Sequence, residues 1–373
     1  MGTDERLREE EMGTDERLRE EEMGTDERLR EEEKVLMSVD AELAEMMSAV
    51  FAAHREQHQP GEGIAELWGR LGELGLDRLT GSEESGGSGA GWAEAVELLR
   101  AAASHGVRIP LAEHDLLACW LLETAGLGVD DARRTACLLD DAGVARGVPW
   151  AADSVRVVLL WRDGTGYRVT DADTASLSVT AGHNNAGEPR DEVRADLGAL
   201  TGNPVPDNVV EQFTQRAALV RAVQVCAALD RILELSVAHV RERTQFGRPL
   251  AKFQAVQNLV ADIAAESALA RAATDGALAE ALRSDWSSPH LDFLVAVARS
   301  CVGHATSVVV RNGHQVHGAI GTTVEHRLHE FTMPALSWRS EYGSVEHWDQ
   351  VLTDYATAAG AEGLWALVTA TGN

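Results

Sequence analysis

Arg243-Thr244-Gln245-Phe246-Gly247-Arg248-Pro249, followed by Phe253-Gln254-Ala255-Val256-Gln257, is the most informative stretch of the chain. Gly247-Arg248-Pro249 spells a tight turn, so one helix is expected to end near Arg243 and another to start after the proline. Upstream, Leu219, Val223, Cys226, Leu229, Leu233, Val237 and Val240 step by three and four, the mark of an amphipathic helix. Downstream, Leu294, Ala298, Cys301, Ala305 and Val308 do the same, and Asn312-Gly313 reads as the stop of that run. An ordinary helix hairpin with a solvated arginine would account for the turn alone. The combination asks for more. A guanidinium suits a pyrophosphate through paired, charge-assisted bonds, and an aromatic with a glutamine suits a nucleotide's ring and edge.

Working outward, the chain divides into blocks. Residues 209–373 are expected to form a helical bundle. Residues 147–208 change character. Val155-Arg156-Val157-Val158-Leu159-Leu160-Trp161 is strand-like, Asp163-Gly164 is a turn signal, and Tyr167-Arg168-Val169 begins a return strand. Residues 37–146 read as helical, broken at Gln59-Pro60-Gly61, at the Gly/Ser run 81–91 and at Ile109-Pro110. Before them MGTDERLREEE occurs three times, at 1–11, 12–22 and 23–33, each copy with five acids and two arginines. A leucine every eleven residues builds no buried stripe, so residues 1–36 are expected to be a leader or a start placed too early, with a native-like start at Met37. The fold class expected is mainly α with a small β domain.

Composition narrows the function classes. The 373 residues are 45% hydrophobic and 25% charged, which is globular. The net charge of −27 repels phosphate polyanions, so neither nucleic acid nor an anionic membrane is expected as a partner. Cys119, Cys137, Cys226 and Cys301 are scattered and form no CxxC pair, which points to a reducing cytoplasm.

The string RTQFGRPLAKFQAVQ resembles the R-x-x-F-G…(F/H)-Q-x-(I/V) signature of acyl-CoA dehydrogenases. Gln315-Val316-His317-Gly318-Ala319-Ile320-Gly321, with Glu325 after it, is similar to their Q-x-x-G-G-x-G-x-x-x-E run. Leu74-Gly75-Leu76 and then Ser82-Glu83-Glu84-Ser85-Gly86-Gly87-Ser88-Gly89 resembles their G-(L/I)…P-E-x-x-G-G-x-G. The three occur in the family's order, over about residues 40–360. The resemblance implies α,β-dehydrogenation of an acyl-CoA thioester. A glutamate takes the α-proton, and the β-hydrogen leaves as hydride to FAD. It also implies that Arg243, Phe246, Gln254, Gln315, Val316, His317, Gly318 and Ala319 contact the ADP half of an FAD bound mainly by a neighbouring subunit.

Two departures shape the expectation. The family's Y-E-G-T string falls on Glu341-Tyr342-Gly343-Ser344, which puts Tyr342 at the base position and a carboxylate one place early, at Glu341. The alternative base position, on the helix before the R-x-x-F-G motif, falls in Gln215-Arg216-Ala217-Ala218-Leu219 and has no acid. In the β block, Val148-Pro149-Trp150-Ala151-Ala152-Asp153-Ser154 stands where the family carries T-E-P-x-x-G-S, and Trp161 is not followed by Ile-Thr-Asn. Residues lent to a neighbour's flavin are present; those needed for the chain's own flavin ring and base are not. The expectation is a non-catalytic subunit of a heteromer, as in the α2β2 enzymes that act on steroid-like CoA thioesters. Its partners would be a second acyl-CoA dehydrogenase-like subunit carrying the base, the acyl-CoA substrate, and an electron-transfer flavoprotein or similar acceptor. Two alternatives stay open: a self-sufficient dehydrogenase using Glu341, and a non-enzymatic interaction protein.

Other features read as structural. His314, His317, His326 and His329 have i,i+3 spacing that could suit a metal, but their segment already matches the Q-x-x-G run, and no metal is expected. Nine tryptophans suit core and interface anchors. Gly86-Gly87-Ser88-Gly89 lacks the strand and the Gly-Lys-Ser/Thr of a phosphate loop, and no Gly-x-Ser-x-Gly elbow occurs.

Overall fold

The structure, a computed structural model, describes residues 38–369, so the expectation for 1–36 lies outside the described residues. Asp40 caps the first helix, α1 (Ala41–Gln57), accepting from Glu42 N at 2.9 Å and Leu43 N at 3.1 Å. Next come α2 (Ile64–Glu73) and α3 (Trp92–Ser104). The Gly/Ser run between them is a packed loop. A Cβ on Gly87 would sit 2.2 Å from the Gly81 carbonyl oxygen, so only glycine fits there. A π-helical segment, Glu113–Cys119, then runs directly into α4 (Trp120–Thr124) and turns the Glu113 side chain into the interior.

The sheet region is β1 (Arg134–Leu138), β2 (Val144–Pro149), β3 (Arg156–Asp163), β4 (Gly166–Asp173), β5 (Ser178–Thr180), β6 (Arg190–Arg194) and β7 (Asn203–Val205). One sheet has the order β1-β3-β4-β7, with β1 and β3 parallel; the other is antiparallel, β2-β6-β5. β1 and β2 correct the helical reading of 37–146, because strands begin at Arg134 rather than after 147. Neither carries the alternation that marks a strand. β1 is five residues long and nearly all buried, and the register of β2 shifts between Ala145 and Val148, beside Gly147 at φ +68°. β3 is buried on both faces. Val157, Leu159 and Trp161 pack into the core between the sheets, while Val158 and Leu160 meet Leu117, Leu121 and Phe213 from the helices.

The bundle comprises α5 (Val209–Glu242), a short hairpin β8 (Thr244–Gln245) and β9 (Arg248–Pro249), α6 (Gln254–Arg283), α7 (Leu291–His317), α8 (His329–Trp338) and α9 (Val345–Thr369). α7 is long and apolar enough to cross a membrane, but that apolarity is used inside the bundle, where Val302, Ala305 and Val309 are fully buried among α5, α6 and α8. α7 also runs through Asn312-Gly313 rather than stopping there. Gly313 serves a close helix contact: a Cβ on it would lie 2.9 Å from Ile232 Cγ2 on α5. The architecture is helical domains on either side of a small sheet domain, as expected from the sequence.

Candidate functional site

The segment between α8 and α9 carries Glu341 and Tyr342. Its backbone is gathered by Arg299 of α7, a fully buried guanidinium that makes no ion pair among the described residues. Arg299 Nη2 donates to the carbonyls of Arg339 at 2.9 Å and Glu341 at 2.8 Å. Burial holds the Arg299 pKa down at about 10, helped by repulsion from Arg221. Tyr342 adopts φ +56° at the end of this gathered turn.

The side chains of Glu341 and Tyr342 diverge. Glu341 accepts from Arg221 Nε at 2.6 Å, from Arg190 Nε at 2.7 Å and Nη2 at 3.1 Å, and from Asn184 Nδ2 at 3.2 Å. Arg221 also donates to Glu113 at 2.6 Å and to Gln224 at 2.6 Å. Arg190 Nη2 reaches Glu188 at 3.1 Å, and Glu188 accepts from Asn184 at 2.7 Å and from Trp338 Nε1 at 2.8 Å. One network thus joins the π-helical segment, the loop before β6, α5 and the α8–α9 turn. Burial alone would raise the Glu341 carboxyl; Arg221 and Arg190 outweigh it and hold it down at about 2. Tyr342 packs against Phe213, and Arg221 lies 5.6 Å from its ring centroid. Its hydroxyl is buried without a hydrogen-bond partner, and burial pushes its pKa well above the ordinary tyrosine value.

At the alternative position on α5, Gln215 Nε2 donates to Asp292 at 2.8 Å. Arg216 sits among Trp120, Trp286 and Trp92, with its guanidinium carbon 4.2, 4.4 and 5.3 Å from the ring centroids. Burial lowers the Arg216 pKa to about 9. In the sheet region, Val148–Ser154 closes on itself. Trp150 takes φ +58° with its ring buried, Ser154 Oγ donates to the Trp150 carbonyl at 2.8 Å, and Ala152 N donates to Asp191 at 2.8 Å. A cavity of about 350 Å³ lies beside this loop, and Arg108, Arg133, Asp153 and Glu188 face it.

The hairpin end of the bundle has a different character. Arg243, Phe246, Gln254, Gln315, Gly318 and Ala319 are exposed, whereas Val316 and His317 are buried. Phe246 is 90% exposed at φ +51°, its ring 6.2 Å from that of Phe253, over which Arg248 stacks at 4.1 Å. Gln254 donates to Asn258 at 3.1 Å. His239, four residues before Arg243, has its ring 4.6 Å from that of His317, which brings the hairpin and the Gln315–Ala319 turn to the same end of the bundle. Ile320 and Val324 add exposed apolar surface there.

Sequence reasoning singled out Glu341, Tyr342 and the residues of the hairpin end. It missed Arg190, Arg221, Glu113 and Arg299, which have no local signal, and His239, which is far in sequence from the other histidines.

Comparison with known proteins bears on both regions. Residues 30–128 match the acyl-CoA dehydrogenase N-terminal domain and 208–348 the C-terminal domain. The acyl-CoA dehydrogenase IpdE2 of Mycolicibacterium smegmatis is 26% identical over 305 residues, covering 77% of this chain and 90% of the relative. Among solved structures, the ChsE4–ChsE5 complex from Mycobacterium tuberculosis superposes with a TM-score of 0.75 at 19% identity, covering 87% of this chain and all of that one. A variant of the Tcur3481–Tcur3483 steroid acyl-CoA dehydrogenase superposes at 0.73 with 22% identity, over 86% of this chain and 98% of that one. With both domain models matched in order and the helix–sheet–helix fold between and around them, the chain belongs to the FAD-binding acyl-CoA dehydrogenase family.

Proposed function

We propose that this chain is the non-catalytic subunit of a heteromeric acyl-CoA dehydrogenase that introduces an α,β double bond into an acyl-CoA thioester. The observation that carries this reading is the state of Glu341. A carboxylate held at about 2 by two arginines is a feeble acceptor for the weakly acidic α-proton of a thioester. Its four-bonded position also leaves it no freedom to approach a substrate carbon. Tyr342, with a raised pKa and a buried hydroxyl, offers no base either.

The residues present divide in how well they fit FAD. The exposed guanidinium of Arg243, the exposed Phe246 ring and the amides of Gln254 and Gln315 suit the pyrophosphate and adenosine half of the molecule. The Val148–Ser154 loop, filled by its own Trp150, does not suit the isoalloxazine ring. When bound by the partner, FAD supplies the hydride acceptor; this chain contributes binding and orientation at the rim. A steroid-like CoA thioester is the proposed substrate class, supported by the likeness to a steroid acyl-CoA dehydrogenase and to the ChsE4–ChsE5 complex. An electron-transfer flavoprotein or a similar acceptor is the proposed oxidant of the reduced flavin, and the cytoplasm the proposed location.

The test is Glu341→Gln in the enzyme reconstituted with its partner. A subunit without the base keeps kcat per bound flavin within a few-fold of wild type. A loss of several orders of magnitude would instead favour a self-sufficient dehydrogenase with a displaced base. Flavin counting accompanies it: two flavins per four chains are expected, and four would show that this sheet domain holds a ring.

A further inference from the structure

Three histidines from separate elements converge at the hairpin end of the bundle. His239 lies in the last turn of α5, His317 is the last residue of α7, and His326 precedes α8. One potential ligand atom from each lies within 4.8 Å of the other two. The ring centroids are 4.6 Å apart for His239–His317, 4.7 Å for His317–His326 and 6.3 Å for His239–His326.

His317 makes the cluster more than a stack. It is 5% exposed, and its Nδ1–H donates to the Gly313 carbonyl at 2.8 Å, which uses the single proton of a neutral ring. Nε2 is then a buried lone pair without a donor, and the Leu235 carbonyl near the ring could accept only from its protonated form. A backbone carbonyl on Nδ1 that leaves Nε2 bare is how proteins orient metal-ligating histidines. Burial lowers all three pKa values, that of His317 to about 4, so each ring is neutral near pH 7. The nearby charges are Arg243 and Glu242 beside His239, and a further imidazole, His329, beside His326. Among the described residues no carboxylate is bonded to any of the three rings.

We infer that His239, His317 and His326 form a binding site for a divalent transition metal of the zinc class. Three imidazoles and a solvent molecule complete a tetrahedral shell, in which ligand nitrogens about 3.3 Å apart surround the ion. Reaching that spacing requires the rings to close in. His239 and His326 are only partly buried, so the closing movement falls to them rather than to the buried His317. His326 accepts from Leu328 N on Nδ1 at 3.1 Å, so ligation through Nε2 moves its ring proton to Nδ1 and gives up that bond. The i,i+3 spacing apparent in the sequence pointed at the wrong set. His314 pairs with Thr332, and His329 with the His326 carbonyl, while His239 supplies the third ring. A bound ion would tie the ends of α5 and α7 to the segment entering α8, beneath the exposed rim.

The inference rests on the imidazoles and not on the flavin reading, so it is tested on the full chain without flavin. Zn²⁺ is titrated against a chromophoric competitor, and Co²⁺ is added separately to read its tetrahedral visible bands. Wild type is expected to bind one Zn²⁺ that His317→Ala and His326→Gln each weaken by at least roughly tenfold. His326→Gln, at a half-exposed position, provides the answer should His317→Ala fail to fold. No competing binding by wild type, or binding unchanged in a folded variant, would overturn the site; the latter would assign the metal to acidic groups elsewhere in the chain.

Discussion

The Glu341 network and the Arg243–Ala319 rim treat charge in opposite ways. In the network, Arg221 joins Glu113 and Glu341, and Arg190 joins Glu188 and Glu341, all with side chains at most 17% exposed. At the rim, Arg243 has no ion pair among the described residues, and Phe246 stands almost wholly in solvent. A saturated interior charge is spent on holding elements together; an unsaturated exposed one is available to something outside the chain. The difference teaches that a carboxylate near an expected catalytic position says little until its partners are counted.

The comparison breaks most easily at Arg221. Arg221→Met leaves Glu113 buried without its cation and Glu341 with Arg190 alone, and the expected loss is about 3–5 kcal/mol of stability, read from the urea midpoint. A loss under about 1 kcal/mol would mean that water replaces the guanidinium and that the network is not closed.

Acid titration examines the same region without mutation. The folded pKa of Glu341 lies below its ordinary 4.5, so its contribution is present above that value and disappears as pH falls toward about 2. A depression of this size corresponds to roughly 3 kcal/mol. Wild type should therefore lose stability more steeply than Glu341→Gln over that window, although the variant is less stable at pH 7. Parallel curves would remove the assignment.

The rim is expected to respond in binding rather than in folding. Arg243→Ala should weaken flavin retention by the reconstituted heteromer by about 1.5–3 kcal/mol, roughly ten- to a hundredfold, with an unchanged melting temperature. Equal flavin content after gel filtration of both forms would argue against a phosphate contact. Phe246→Ser should change the stability of the isolated chain least, by under about 0.5 kcal/mol, because the ring has little to lose on unfolding. A larger destabilisation would show that the hairpin is part of the core and would blur the contrast between the two regions.

The long helices and β3 were legible because their signals are local. Leu219 to Val240 repeat at helical spacing within one segment, and Val155 to Trp161 is an uninterrupted strand-like run. β1 and β2 were not, since a short, almost wholly buried strand and a bulged one carry no period to read. Gly313 misled for a related reason. A glycine that lets α7 approach Ile232 looks, in one dimension, like a glycine that ends a helix.

By itself the sequence determined the family, the order of helical and sheet domains, and which residues stand at the hairpin turn and at 341 and 342. Those are properties of residue type and of spacing along the chain. Only the tertiary structure decided that Glu341 is bound by Arg190 and Arg221, that Arg299 gathers the backbone around it, and that His239 stands beside His317 and His326. The partners of Glu341 come from positions about 150 and 120 residues away, and His239 lies nearly 80 residues before His317. The protonation and reach of a side chain depend on such distant neighbours through burial and Coulomb forces, which act across space and leave no mark in the local order of residues.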